Sequence, residues 1–192
     1  QRYVRVDGLS GSLWGDGAAT RIAIDAGGYR FELRGVAWQG LQMTRAPQAR
    51  TGARWGIGVQ ARRLEAAQFI WLARPVSTQP PTPGPPPSVA LPLAVRGDDL
   101  RIDHARLPAL SAALDGERAL RGLRGELRLD DAAPDASDAP VHRLRLTSLQ
   151  WDRLQIAGEL QLGLRAPHAL AAQVAVAGEG WPGGGGVLRG QT

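Results

Sequence analysis

The chain has 192 residues, including 25 glycines and 14 prolines, with 43% hydrophobic and only 5% aromatic residues; that length allows one domain with a sizeable core or one extended sheet. It has no cysteine, which excludes a disulfide framework and thiolate metal centres and leaves the redox compartment open. The net charge of +5 comes entirely from arginine on the basic side, and these arginines alternate with apolar residues instead of forming a block, which reads as a solvated sheet face and argues against a nucleic-acid partner.

In chain order, YVRVDGLSGSLW (3–14) opens with a short strand carrying Val4 and Val6 on one side and then enters a Gly/Ser turn. Ile22 and Ile24 alternate with Arg21 and Asp25. After Gly27-Gly28, Tyr29, Phe31 and Leu33 alternate with Arg30, Glu32 and Arg34, the pattern of a hairpin. Residues 55–73 fit both periods: Trp55, Ile57 and Val59 alternate, while Leu64, Ala67, Gln68 and Trp71 also fit one face of a helix; strands are expected. The proline-rich 75–92 predicts a loop or linker, since each proline removes a ladder donor.

Beyond that stretch Leu100 and Ile102 face away from Arg101 and Asp103, Leu127 and Leu129 from Glu126, Arg128 and Asp130, and Leu144 and Leu146 from Arg143 and Arg145. Asp115-Gly116 suits a tight turn, and 130–140 a longer polar loop. The strongest alternation is in 154–176. Leu154, Ile156, Leu160, Leu162 and Leu164 oppose Gln155, Glu159, Gln161 and Arg165; after Pro167, Leu170, Ala172, Val174 and Val176 oppose Gln173, as in a second strand laid beside the first. The Gly-rich 179–192 predicts a mobile tail.

No constellation points to catalysis, a metal or a nucleotide cofactor. Gly178–Gly183 satisfies GxGxxG, but Pro182 and further glycines follow where a phosphate-binding helix is required. Gly8-Leu9-Ser10-Gly11-Ser12 has Ser12 where a nucleophile elbow needs glycine. His104, His142 and His168 lack ligand spacing, and Asp130, Asp131, Asp135 and Asp138 lack the order of a calcium loop. The six tryptophans are dispersed, which predicts packing and not base stacking. Starting at Gln1 without a signal sequence or a bilayer-length apolar run, the chain reads as a piece of a larger protein whose anchor lies outside it.

Three segments in fixed order, VRVDGLSGSLWGDGAA, the Pro-rich stretch leading into LPLAVRGDDLRIDHARL, and LQIAGELQLGLRAPHALAAQVAVAG, resemble the TamB-like translocation-and-assembly-module proteins of the AsmA-like superfamily. Together they cover about half the chain. The opening segment is also similar to the GSLW-type turn of the type II secretion N protein. The family resemblance implies an all-β fold, a curved, elongated and mainly antiparallel sheet shaped as a U (a β-taco) with an apolar concave face. It implies a periplasmic segment of an inner-membrane-anchored protein of a Gram-negative bacterium, which carries phospholipid between the membranes and supports outer-membrane assembly. Its partners would be phospholipid acyl chains, with the inner-membrane anchor and contacts to an outer-membrane assembly barrel supplied by regions outside this stretch. The groove lining would be the apolar strand positions named above, Ile22, Ile24, Tyr29, Phe31, Leu33, Leu100, Ile102, Leu127, Leu129, Leu144, Leu146 and the 154–176 set. Two other readings stay open: a scaffold or chaperone-like module that pairs partners along strand edges, and a self-contained β-sandwich binding domain.

Overall fold

The computed structural model describes residues 2–26, 29–45, 56–73, 93–106, 120–131, 141–164, 169–178 and 181–191. Among them the fold is all-β. Twelve strands are β1 (Arg2–Asp7), β2 (Ser10–Gly11), β3 (Gly15–Ala26), β4 (Tyr29–Arg45), β5 (Ile57–Ala61), β6 (Arg63–Ala73), β7 (Ala94–Arg106), β8 (Leu120–Asp131), β9 (Val141–Trp151), β10 (Leu154–Gly163), β11 (Ala169–Gly178) and β12 (Trp181–Gln191). All belong to one sheet, in the order β1-β3-β4-β5-β7-β8-β9-β10-β11-β12, with β2 beside β3 and β6 between β4 and β7.

Residues 57–73 are extended, as expected, and interrupted at Arg62, whose amide donates to the Gln39 carbonyl at 3.0 Å. Both halves lie between β4 and β7, antiparallel to β4 and parallel to β7. These parallel pairs distinguish an otherwise antiparallel sheet, and they dictate a crossover. Gly58 is level with Ala94, so the chain leaving Ala73 must return along about 50 Å of strand. Residues 74–93 can reach at most about 70 Å when fully extended. The expected loop at 75–92, the turn at Asp115-Gly116 and most of the 130–140 loop lie outside the described residues.

One line of skipped pairs crosses the sheet. Ala19–Val36–Ala66–Ile102–Leu123 is a row of directly paired residues, and so is Ile22–Leu33–Phe69–Ala105–Leu120. Strict alternation would put residues three apart on opposite faces. Yet all ten pack into one cluster, with Ala19, Val36, Ala66, Ile102 and Ala105 buried. Between the rows lie Thr20, Gly35, Ala67, Asp103 and Gly122, which have no ladder partner. Gly35 and Gly122 have φ of 57° and 59°, values that glycine reaches without steric cost. Hydroxyls occupy backbone bonding positions there: Thr20 Oγ1 donates to the Asp7 carbonyl at 2.9 Å, and Ser148 Oγ to the Gly122 carbonyl at 3.2 Å.

The buried core of the described residues combines six alanines with Val36, Ile102, Leu146, Leu164 and one tryptophan. Trp38 is 6% exposed and donates from Nε1 to the Ser12 carbonyl at 3.1 Å. The GSLWGD segment thus folds back as a turn, held by Ser12 N to the Asp16 carbonyl and by Asp16 Oδ1 accepting from Gly40 N. Ser10 is therefore in a short strand that leads to β3, a different setting from the strand-to-helix turn of a nucleophile elbow.

The expectation of a mobile tail is corrected at 181–191. Trp181–Gln191 is β12, with Gly184, Gly185 and Gly186 opposite Val176, Ala175 and Val174. Glycine is a poor strand former, but ladder bonds need only backbone, and pairing satisfies the outer backbone groups of β11. Gly178–Gly183 accordingly joins two strands, where a dinucleotide fingerprint would open a helix.

Gly122→Ala and Gly35→Ala test the skipped line. A Cβ at Gly122 meets nothing within 4 Å, whereas one at Gly35 comes 3.0 Å from the Ala67 Cβ. Denaturant unfolding should show Gly122→Ala destabilised by about 1–2 kcal/mol from φ alone, and Gly35→Ala by more. Equal stability of both variants and wild type would rule out this account.

Candidate functional site

The expected apolar positions fall into cross-strand rows. Direct partners in a ladder share a face, so Leu127–Leu144–Leu160–Ala172 forms one row, with Gly97 opposite Leu127. Leu64–Leu100–Gly125–Leu146–Gly158–Val174 forms another. Leu129 pairs with Val95, Ile156 with Leu149 and Val176, and Leu162 with Leu170 and His142. Leu154 lies level with Trp151 and Gly178. Toward β1, Ile24 and Phe31 align with Val4 and Trp71, and Ile22 and Leu33 with Val6 and Phe69. The Phe31 ring is 6.1 Å from Phe69 and 5.8 Å from Trp71. Tyr29 pairs with Ala73 along the backbone. Leu164 is buried at the bend that follows β10.

Burial along these rows is uneven. Buried apolar residues concentrate in β3 to β7, whereas β10 and β11 carry none among the described residues, and Leu160 and Leu170 are 38% and 37% exposed. The strict alternation expected for 154–162 is present in the β10–β11 register. The apolar rows are therefore packed in the β3–β7 part of the sheet and more accessible at β10 and β11.

The opposite face is ionic. Arg21 Nη2 and Arg34 Nε each donate to Glu32 at 2.6 Å. Hydrogen bonding from Arg21, then Arg34, holds the buried Glu32 carboxyl below its usual value, against the opposing effect of burial. Asp99 is held down likewise, chiefly by Arg101 and, after the opposing effect of burial, by Arg63; both donate at 2.9–3.0 Å. Farther along, Arg96, Arg128 and Arg143 are direct partners on three adjacent strands. Sequence inspection scatters these arginines over nearly fifty residues, and only register brings them together.

Gln161, on the polar side of β10, has charged neighbours. It pairs directly with Arg143 and donates to Glu159 at 2.8 Å, so an added charge at 161 would not be silent. Gln155, exposed and level with Gln150 and Ala177, is the neutral position on that face. No family model, curated protein or solved structure matches the chain.

Glu32 gives a pH prediction. A depressed folded pKa means that its contribution is complete above the ordinary value near 4.5 and is lost as pH falls through the lower folded value. Glu32→Gln should cost about 1–3 kcal/mol at pH 7 and flatten the stability profile below pH 4.5. Unfolding curves collected between pH 2 and 7 check this; an unchanged acid limb would remove Glu32 from that role.

Proposed function

We propose that the chain is a periplasmic segment of a TamB-like bridge, with its apolar rows lining a groove for phospholipid on the way to the outer membrane and the whole protein supporting outer-membrane assembly. The observation that carries this reading is the pair of aligned apolar rows reaching β10 and β11, where Leu160 and Leu170 stay exposed on a sheet whose other face is ionic. A conduit needs apolar rows that continue from strand to strand. Each methylene of an acyl chain kept from water is worth about 0.8 kcal/mol, so any polar interruption along the path would act as a barrier. The groove need only match the bilayer, and a face without a shaped pocket suits that requirement.

A second reading rests on the strand at one end of the sheet path. β1 presents Val4 and Val6, 63% and 46% exposed, beside a free ladder edge among the described strands. An assembly module could add a partner strand there.

Substitutions of opposite parity separate these readings. In the full-length protein, Leu160→Arg should impair lipid supply to the outer membrane while changing stability by less than about 1 kcal/mol, because Leu160 is already partly exposed. Gln155→Arg should be near neutral. Photocrosslinkers placed singly along 154–162 should capture lipid at even positions and not at odd ones. Capture without alternation would defeat the conduit reading, and loss of protein abundance on Leu160→Arg would point instead to a closed sandwich core.

A further inference from the structure

The edge strand β1 carries a self-complementary sequence. Arg5 and Asp7 stand two residues apart and share the ionic face, where Arg5 Nε donates to Asp7 Oδ1 at 2.9 Å, and Val6 between them turns to the apolar face. Val6 is the direct partner of Ile22, at the end of the row that runs on through Leu33 and Phe69. Val4 and Val6 are both exposed, and no described strand lies beyond them.

One side-chain bond shows which backbone groups this edge leaves open. Thr20 Oγ1, on β3, donates to the Asp7 carbonyl, so that carbonyl points inward. The direction of the amide and carbonyl alternates from residue to residue along a strand. Those of Val4 and Val6 are therefore directed outward. An incoming antiparallel strand would hydrogen-bond at the two residues whose side chains continue the apolar rows.

We propose that β1 is a homodimer interface, pairing antiparallel with β1 of a second copy about a two-fold axis at Val6. Directly opposed residues of an antiparallel pair share a face, so Val6 meets Val6 of the second copy, and the two apolar rows join into one across the junction. On the ionic face Arg5 of each copy meets Asp7 of the other. These two crossed ion pairs favour a second copy over an arbitrary strand, since opposite charges directly across a ladder stabilise it and like charges oppose it. They also fix the axis. Centred on Arg5, the same pairing would set that cation against its own copy, and centred on Val4 it would bring Asp7 level with Gln1 in place of a cation. Little is lost inside each copy, because Arg5 is 70% exposed and an exposed ion pair contributes little, while Arg21 stays 3.5 Å from Asp7. A two-fold contact occupies both edges it joins, so association through β1 closes at the dimer. The interface takes the edge of the second reading above, gives it a different occupant and does not rest on the conduit.

Sedimentation equilibrium of the whole chain should show a reversible monomer–dimer transition. Asp7→Arg and Arg5→Asp should each weaken it about tenfold, and the double charge swap, which restores both crossed pairs, should recover it. Because the chain has no cysteine, single thiols report the register independently. Val6→Cys should give a covalent dimer under mild oxidation, since a hydrogen-bonded pair sets its Cα atoms about 5.5 Å apart, within disulfide reach. Val4→Cys, also exposed, should not, because its two copies would lie about 14 Å apart. A monomer at every concentration would overturn the pairing and leave the edge to a foreign strand. Association indifferent to both charge reversals, or equal crosslinking at Val4 and Val6, would overturn it as well.

Discussion

Cross-strand register is the constraint on which this sheet depends, because side chains alternate with a period of two and a slip of one residue exchanges the faces. Here register does more than align strands. Along one line from β3 to β8 the ladder omits a pair in every strand, and the pleat changes phase together across all of them. Residues three apart then share a face, and Ala19 with Ile22, Leu33 with Val36, Ala66 with Phe69 and Ile102 with Ala105 become one cluster. A single strand making this change alone would set its apolar side against its neighbours' charges. Glycine at 35 and 122, and hydroxyls at Thr20 and Ser148, make the common change affordable.

The phase change also explains the composition of the core. Paired rows close to the line contain Ala19, Ala66 and Ala105 beside larger residues, and Trp38 is the only buried aromatic side chain among the described residues. Small residues let side chains from both rows meet without overpacking. Farther along, β10 and β11 return to strict alternation and their apolar residues are less covered. The contrast follows from packing: two converging rows bury one another, and a regularly pleated strand needs something else laid on it.

The two faces carry different chemistry. On the conduit proposal the apolar rows would act through continuity, spread over many positions. The ionic face acts through local geometry. Glu32 and Asp99 are each gripped by two arginines.

By itself the sequence determined the all-β class and the strand at 154–163 with its partner at 169–178, because an unbroken two-residue period and a proline between them leave no other regular structure. Only the tertiary structure decided that Trp181–Gln191 pairs, since four consecutive glycines carry no pattern and their ladder bonds are made by backbone. The parallel step between β6 and β7 was equally invisible, being a matter of which strand lies next to which. The same holds for the skipped line and for Arg96, Arg128 and Arg143. Both depend on the level at which distant strands meet, and a local period fixes a face but never a neighbour.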